Sequence, residues 1–178
     1  MVLVLIMLPV KSINEYKSNK IISFKKAIDI IKRLKSKGKK AGLCHGSFDL
    51  LHAGHVKHFE SGKKLCDVLF ASITSDNFVE KRKGHGRPIF NEKLRAYMIA
   101  AIKFVDYVVI SDFNLGVEVI RTLKPSYYIK GIDYENKKDK EIEAERDAIS
   151  YVRGQIKYTK EPKMSTTEIM RYIKDNTD

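Results

Sequence analysis

The sequence predicts an α/β fold, a doubly wound parallel sheet of five strands with helices on both of its faces. Two observations support this fold. Short apolar segments of strand length alternate with amphipathic segments of helix length, and the connections between them are short. Such alternation is typical of βαβ units, which build a parallel sheet covered by helices. No internal repeat or low-complexity tract interrupts the pattern.

The composition is that of one soluble globular domain. The chain has 178 residues, of which 43% are hydrophobic and 31% charged. Its two cysteines, Cys44 and Cys66, form neither a disulfide framework nor a Cys-x-x-Cys metal pair, so we expect free thiols in the cytoplasm. The net charge of +12 favours anionic ligands. Because the lysines are scattered, we expect small phosphorylated ligands and no nucleic acid.

Residues 1–38 are interpreted as an N-terminal extension that contains an amphipathic helix, and 39–178 as the main domain. The apolar run VLVLIML at 2–8 is shorter than the ~20 residues that cross a bilayer. It also lacks the cationic leader of a signal peptide, so we expect a strand or a partner-facing segment and no membrane insertion. In the helix that follows, Ser23 is the expected N-cap and Gly38 follows the last turn.

The remaining elements alternate from residue 41 onward. The predicted strands are AGLCHG, DVLFASIT, VDYVVI, SYYIKG and QIKYTK, at 41–46, 67–74, 105–110, 126–131 and 155–160. The predicted helices are HAGHVKHFESGKKL, NEKLRAYMIAAIKF, GVEVIRTLK, DKEIEAERDAISYVRG and STTEIMRYIKD, at 52–65, 91–104, 116–124, 139–154 and 165–175. The segment EKRKGHGRPI, at 80–89, is predicted to be a basic loop because it combines glycines, a proline and charged residues.

Glycines and polar residues follow four of the five predicted strands. These segments are 46–55, 81–88, 130–134 and 165–167. In a parallel sheet, ligands bind at the carboxyl ends of the strands, near the point where the strand order reverses. We therefore expect the four segments to form one site.

The segment CHGSFDLLHAGH at 44–55 predicts an anion site. His52 and His55 stand where a strand passes into a helix, and the first turn of a helix offers unpaired N–H groups and a partial positive charge. Gly54 lets a phosphate approach the backbone. Both imidazoles can donate hydrogen bonds to phosphate oxygens. A polyphosphate that gains negative charge during a reaction suits this arrangement.

Two other interpretations of these histidines stay open at this point. His52, His55 and His58 have spacings that serve zinc, although the glutamate of zinc-protease motifs is absent and positions 52 and 58 face different sides of the helix. The histidines could also be packing or surface residues. A pair that flanks a glycine at a strand-to-helix turn argues against that second interpretation.

The segment GSFDLLHAGH resembles the signature of a nucleotidyltransferase superfamily whose hallmark is His-x-Gly-His. The resemblance extends over about residues 39–175. A second hallmark, a Ser/Thr-rich turn that opens the last helix, is present as MSTTEI. With KGHGRPI, NEKLRAYMIAAIKFVDYVVI and LKPSYYIKGIDY, the chain is most similar to heptose 1-phosphate adenylyltransferase domains. It is similar, less closely, to glycerol-3-phosphate cytidylyltransferases.

This resemblance implies a Rossmann-like enzyme that transfers a nucleoside monophosphate from a nucleoside triphosphate to a phosphorylated sugar or polyol. Pyrophosphate is released, and the product serves capsule or lipopolysaccharide synthesis. ATP is favoured over CTP, because GRPI and KGIDY resemble the heptose branch. Mg²⁺ is expected with the triphosphate and no protein metal ligands are assigned. A cytoplasmic homodimer is expected. The alternative from another class is a non-catalytic nucleotide- or nucleic-acid-binding module.

The resemblance also implies roles for individual residues. The catalytic residues are His52, His55, Lys83 and Arg95. The nucleotide-binding residues are Gly46, Ser47, Phe48, Gly54, Lys130, Gly131, Asp133, Tyr134, Ser165, Thr166 and Thr167. Asp49 and Arg87 are assigned to the acceptor, although Asp49 could instead cap the turn before the helix. Lys83 is expected on a mobile loop that closes on phosphates. Ile132 stands where the heptose enzymes usually have a second glycine, which leaves the choice of base open. Lys160 stands where the cytidylyltransferases carry an arginine, so a phosphate contact is kept there and bidentate recognition is lost.

Overall fold

The protein, described here by a computed structural model, is defined at residues 15–161 and 164–177. The predicted apolar segment at 2–8 lies outside these residues. The strands are β1 Ala41–Gly46, β2 Val68–Thr74, β3 Tyr107–Ser111, β4 Tyr127–Gly131 and β5 Gln155–Thr159. The helices are α1 Phe24–Ser36, α2 Ala53–Lys64, α3 Asp76–Lys83, α4 Glu92–Ala100, α5 Gly116–Leu123, α6 Lys140–Tyr151 and α7 Thr166–Asp175. A 3₁₀ turn at Ile132–Tyr134 follows β4.

The five strands form one parallel sheet in the order β3-β2-β1-β4-β5. The first three strands step outward to one side, and the chain then crosses to the other side of β1 to form β4. This topology confirms the predicted doubly wound sheet. The strand order reverses between β1 and β4, so the carboxyl ends of these two strands border the crevice where such folds bind ligands.

Two apolar cores cover the two faces of the sheet. Successive residues of a strand point to opposite faces, so Leu43 of β1 joins the core beneath α1, α5 and α6, whereas Cys44 joins the core beneath α2 and α4. The same alternation occurs on β4, where Tyr128 and Ile129 enter different cores. Because strands buried on both faces read as continuous apolar runs, the sequence predicts them well.

Helix α1 packs into the same core as the sheet. The hydroxyl of Ser23 accepts a hydrogen bond from the N–H of Lys26, which confirms the predicted cap. Ala27, Ile30 and Ile31 are buried with residues of β1, β2 and α5. The extension predicted for residues 1–38 therefore contributes a helix to the core of the main domain.

The segment between β2 and α4 differs from the sequence prediction. Part of the basic segment that was expected to be a loop lies in α3, so Lys81 and Lys83 stand on the last turn of a helix. Asp76 in the first turn and basic residues in the last turn both stabilise the helix through its dipole. The helix has only eight residues and little amphipathic character, so hydrophobic periodicity does not reveal it. Gly84, with φ of 91°, ends it.

Candidate functional site

A cleft of about 350 Å³ opens at the carboxyl ends of β1 and β4, where the strand order reverses. Residues from the ends of both strands, the end of α3 and the beginnings of α5 and α6 form its walls. The predicted site residues that line it are Gly46, Ser47, Phe48, His55, Lys83, Lys130 and Tyr134. The fold therefore brings three of the four predicted segments to one cavity.

His52 and His55 stack against each other at the start of α2. Their ring centroids are 3.7 Å apart and the ring planes differ by 20°. His52 is the N-cap residue, but its side chain makes no capping hydrogen bond. The Nδ1 atoms of both rings are buried and have no hydrogen-bond partner among the described residues. Since buried polar atoms are nearly always paired, these two nitrogens have a hydrogen-bonding capacity that the described protein atoms do not use.

Burial lowers the pKa of both imidazoles. The pKa of His55 falls to about 3, and the neighbouring His52, His58 and Lys83 add to the effect of burial. The pKa of His52 is lowered by burial alone. Both rings are therefore neutral near pH 7, and each retains one N–H donor. An anion placed beside them would raise both pKa values and favour uptake of a proton.

Tight packing around the histidines favours glycine at position 54. A Cβ atom at this position would lie 3.1 Å from Cε1 and Nδ1 of His52 and 3.1 Å from Cβ of Met164. The missing side chain thus allows the His52 ring and the segment before α7 to approach the first turn of α2. Close packing of protein atoms is therefore one physical reason for glycine here, beside the predicted approach of a phosphate.

Phe48 supports the His55 ring from the β1 side. It has a φ of 45°, and its ring meets His55 edge to face with 5.2 Å between centroids. The same ring lies 5.2 Å from that of Phe59, a fully buried residue of α2. The orientation of His55 is thus determined by aromatic packing, which suits a preorganised donor.

Lys130 and Tyr134 form the opposite wall of the cleft. The Nζ atom of Lys130 lies 4.2 Å from the centroid of the Tyr134 ring, within the range of a cation–π interaction. Gly131 and Asp133, predicted with them, do not line the cavity. A Cβ atom on Gly131 would lie 2.5 Å from Oδ1 of Asp133, so the glycine makes room for this carboxylate.

The Ser/Thr turn lies beside the start of α2, outside the walls of the cleft. Ser165 and Glu168 form a capping box, each side chain accepting a hydrogen bond of 3.1 Å from the other residue's N–H. The hydroxyl of Thr166 donates to the carbonyl of Leu50 at 3.3 Å. Thr167 is exposed. The fold therefore places the two predicted hallmarks next to each other.

Comparison with known families gives a match over residues 43–172 to a family described as cytidylyltransferase-like. The chain belongs to the cytidylyltransferase-like family. The match confirms the predicted membership of the nucleotidyltransferase superfamily, and both hallmarks, at 52–55 and 165–167, lie within the matched residues.

Curated relatives of this cytidylyltransferase-like chain include proteins named bifunctional protein HldE. The one from Campylobacter jejuni subsp. doylei is 40% identical over 170 residues, which cover 92% of this chain and 35% of the relative. The one from Geobacter metallireducens is 45% identical over 105 residues, covering 59% of this chain and 21% of the relative. The chain thus spans about a third of the length of the first of these relatives.

Solved structures agree with the fold. A lipopolysaccharide core biosynthesis protein from Thermoplasma volcanium is 27% identical, with a TM-score of 0.57, over 72% of this chain and 100% of that one. A pantoate-beta-alanine ligase from Francisella tularensis is 14% identical, with a TM-score of 0.59, over 88% of this chain and 77% of that one. The second likeness concerns the fold alone.

The structure corrects the predicted contact of Arg95 with phosphate. The side chain is fully buried and does not line the cleft. Its guanidinium donates to four acceptors, which are the carbonyls of Phe90, Ser47 and Thr74 and the carboxylate of Asp76. Arg95 therefore fixes the turn after β1 and the start of α3, and it is a positioning residue in this member of the cytidylyltransferase-like family.

Asp49 and Arg87 also differ from their predicted contact with the acceptor. The Asp49 carboxylate is 1% exposed and accepts hydrogen bonds from the side chain of Arg87 and from the N–H of Ile89. Lys83 Nζ lies 3.7 Å from the same carboxylate. Because donors of the 83–89 segment occupy both oxygens, Asp49 ties the segment before α2 to the loop after α3, and these hydrogen bonds do not include the predicted cap of the turn before α2. Arg87 anchors the loop that follows α3.

The cleft also contains charged residues to which the sequence analysis gave no role. Three ion pairs border it: Arg82–Glu141, Lys137–Asp139 at 2.6 Å and Lys130–Glu145 at 2.8 Å. The acids precede or belong to α6, whose charged sequence reads as a solvated helix face. The sequence offers one indication that these acids border the site. Their helix follows the strand SYYIKG, and that strand ends where the site is expected.

Two classes of site are not found among residues 15–161 and 164–177. No three His, Cys, Asp or Glu side chains in these ranges are arranged to hold a metal ion. In the same ranges, every helix is too short or too polar to cross a bilayer. Nδ1 of His58, the third histidine of the zinc interpretation, lies 2.7 Å from the hydroxyl of Thr159 instead.

Proposed function

We propose that this domain transfers the nucleoside monophosphate of a nucleoside triphosphate, ATP in preference to CTP, to the phosphate of a sugar phosphate such as heptose 1-phosphate. One observation carries the proposal. His52 and His55 are stacked at the beginning of a helix, beside the cleft at the point of strand reversal, and their Nδ1 atoms lack partners among the described residues. Membership of the cytidylyltransferase-like family supports the same reaction.

The reaction needs no covalent intermediate with the protein. An oxygen of the acceptor phosphate, already an anion, attacks the α-phosphorus of the nucleotide. The bond from that phosphorus to the oxygen leading to the β-phosphate breaks, and pyrophosphate leaves with the bonding electrons. The protein then has to position two phosphates that repel each other and to neutralise charge on the departing group.

The histidine pair fits that task. Each neutral imidazole donates an N–H to a phosphate oxygen, and the nearby negative charge raises the imidazole pKa. Proton uptake then makes the hydrogen bond charge-assisted, which roughly doubles its strength. The partial positive charge at the beginning of α2 acts on the same oxygens. The two imidazoles and the start of α2 therefore stabilise the negative charge that develops during the reaction without having to move.

The rest of the triphosphate has further partners in this proposal. The Lys83 ammonium lines the cleft next to His55, and burial is the largest cause of its lowered pKa. The N-terminal turn of α7 lies beside the segment that leads into α2, and the partial positive charge of its backbone would attract the β- and γ-phosphates. The hydroxyls of Ser165 and Thr166, which bond Glu168 and Leu50 in the structure, would have to exchange partners to bind them. Mg²⁺ enters with the nucleotide as part of the substrate, since magnesium prefers phosphate and water ligands.

The preference for ATP and heptose rests on sequence resemblance. The segments GRPI and KGIDY resemble the heptose branch. The 27% identical structure from Thermoplasma volcanium is named a lipopolysaccharide core biosynthesis protein, which supports a role in surface polysaccharide precursors. The proposal concerns only the third of HldE that the chain matches.

Release of pyrophosphate tests the proposal. The chain is incubated with each of the four nucleoside triphosphates and Mg²⁺, and with heptose 1-phosphate, glycerol 3-phosphate or other sugar phosphates. ATP with heptose 1-phosphate is expected to give equal amounts of pyrophosphate and ADP-heptose. Turnover with CTP alone would identify a cytidylyltransferase. Absence of turnover together with RNA binding that weakens steeply with salt would favour a binding module and overturn the proposal.

We also propose that the chain acts as a cytoplasmic homodimer. Free Cys44 and Cys66 fit a reducing compartment. The dimer rests on the sequence resemblance alone. Light scattering coupled to gel filtration tests it, with twice the monomer mass of 20.5 kDa as the expected result.

A further inference from the structure

Glu145 on α6 is a nearly buried carboxylate in the wall of the cleft. The residue is 7% exposed, and both of its carboxylate oxygens have partners. Oε1 accepts a hydrogen bond from the hydroxyl of Tyr128 at 2.7 Å, and Oε2 accepts one from Nζ of Lys130 at 2.8 Å. The reaction described above gives this residue no role, so its place in the cleft needs a separate account.

The fold makes room for this carboxylate. A Cβ atom on Gly116, the first residue of α5, would overlap Oε1 of Glu145 and lie 2.5 Å from the hydroxyl oxygen of Tyr128. The beginning of α5, which carries a partial positive charge, therefore lies against the carboxylate. Burial and the Glu145 carboxylate together raise the pKa of Tyr128, which keeps its hydroxyl a donor. A buried anion needs such partners.

The Lys130–Glu145 pair differs from the other two ion pairs of the cleft. The side chains of Lys130 and Glu145 are 12% and 9% exposed. Those of Arg82 and Glu141 are 50% and 54% exposed, and those of Lys137 and Asp139 are 53% and 41% exposed. Exposed pairs contribute little to stability and separate readily, while separation of a buried pair leaves an unmatched charge. Arg82 can therefore turn to incoming phosphates. Lys130 is held where it is.

We propose that Glu145 is a positioning residue, which holds Lys130 against the Tyr134 ring and away from the triphosphate, on the side of the cleft that the sequence resemblance assigns to the base and ribose. The inference rests on the proposed function and deepens it, because it divides the cleft into a nucleoside side and a phosphate side. A lysine ammonium on its flexible stem would otherwise follow the charge of the phosphates. The pair thus presents a fixed wall, made of Lys130 and Tyr134, to the nucleoside.

Substitution Glu145→Gln tests this role, because glutamine keeps the size of the side chain and removes its charge. The KM for ATP is expected to rise by about tenfold, because a displaced Lys130 no longer completes the wall that contacts the nucleoside, and loss of one such contact to the ligand is worth about that factor. The kcat should stay within about threefold, because the histidine pair is untouched. Glu143→Gln is the matched control on the same helix, since the Glu143 side chain is 54% exposed and pairs with Arg146. The Glu143→Gln variant should have the KM and kcat of the wild type.

A double substitution tests whether Glu145 acts through Lys130. Lys130→Met alone leaves a buried carboxylate without its cation and is expected to lower the melting temperature. The double variant Lys130→Met, Glu145→Gln removes both charges, so its melting temperature should be higher than that of Lys130→Met. Its KM for ATP should equal that of Lys130→Met, because Glu145 then has no lysine to position. If the two KM effects multiply in the double variant, Glu145 acts independently and the proposal is wrong.

Calorimetric titration with ATP and Mg²⁺ keeps this inference separate from the proposed reaction. Weaker binding by Glu145→Gln, with unchanged binding by Glu143→Gln, supports the positioning role whether or not an acceptor has been found. If wild type and Glu145→Gln bind ATP equally, the inference fails and the proposed reaction stands on its own assay. A fall in melting temperature with kcat reduced and KM unchanged would indicate packing only, which also overturns the inference.

Discussion

The hydroxyl of Thr166 donates a hydrogen bond to the carbonyl of Leu50, two residues before His52, and so joins the start of α7 to the segment that leads into α2. The two positions are 116 residues apart in the sequence. The contact brings the beginnings of two helices to one place, and each contributes a partial positive charge. The beginnings of α2 and α7 are therefore close enough to act together on the phosphates of one nucleoside triphosphate.

Substitution His55→Ala should lower kcat by about 10²–10³-fold, the usual effect of removing one preorganised donor. The melting temperature should fall by only about a few degrees, because the truncation removes ring contacts with His52 and Phe48 but no hydrogen bond of Nδ1 among the described residues. Pyrophosphate release and thermal unfolding measure the two effects. His85→Ala is the control, since that side chain is 88% exposed. A loss of stability in proportion to the loss of activity would indicate a packing role.

The free energy of unfolding should decrease as the pH is lowered, because of His55. Its pKa is about 3 in the folded chain and 6.5 in the unfolded chain. Between these values the unfolded state binds a proton that the folded state does not, so the free energy of unfolding decreases as the pH falls from 6.5. The contribution is about 1.4 kcal/mol per pH unit.

The difference between wild type and His55→Gln isolates this contribution, because the carboxylates titrate in both proteins. Urea unfolding between about pH 6 and pH 4 should show wild type losing about 1.4 kcal/mol per pH unit relative to the variant. Above pH 6.5 the difference should be constant. A constant difference over the whole range would mean that His55 titrates normally in the folded chain.

Arg95→Lys should destabilise the protein and impair catalysis together. Lysine cannot reproduce a planar guanidinium that donates to carbonyls in separate segments of the chain, including Ser47 after β1 and Thr74 at the end of β2. Loss of these buried, charged hydrogen bonds is expected to cost about 2–4 kcal/mol. Chemical unfolding measures the loss. Arg121→Lys on α5 is exposed and serves as the control. Wild-type stability with reduced turnover would restore the predicted phosphate contact.

The sequence predicts best what depends on neighbours along the chain. The Ser23 cap follows from local spacing, and the apolar runs of β1, β2 and β3 mark strands that are largely buried. The role of Arg95 is not predictable in this way, because its acceptors come from three different segments of the chain. Glu145 reads as one charge of a solvated helix and is buried only because β4 and α5 pack against it. Tertiary contacts of single charged residues therefore limit prediction of the site more than prediction of the fold.

Glu141→Gln should tighten the binding of nucleoside triphosphates. In the structure the Glu141 carboxylate pairs with Arg82 across the cleft, from α6 to α3. A triphosphate must displace the Glu141 carboxylate from Arg82 and is also repelled by it. Removing the charge of Glu141 should therefore lower the KM for ATP about two- to fivefold, which is the size of effect expected of one exposed ion pair. The double variant Arg82→Gln, Glu141→Gln should not show this lower KM, because the tighter binding depends on Arg82 being free to contact the phosphates.

The gain should also shrink as salt is added, since exposed charges are screened within about 10 Å at 0.1 M ionic strength. Glu118→Gln provides the control, because Glu118 is exposed on α5 and does not line the cleft. The initial rate of pyrophosphate release at several ATP concentrations and two salt concentrations gives the comparison. A higher KM in Glu141→Gln would instead assign the Arg82–Glu141 pair to holding the cleft in its binding shape, and the exchange of Arg82 from carboxylate to phosphate would be wrong.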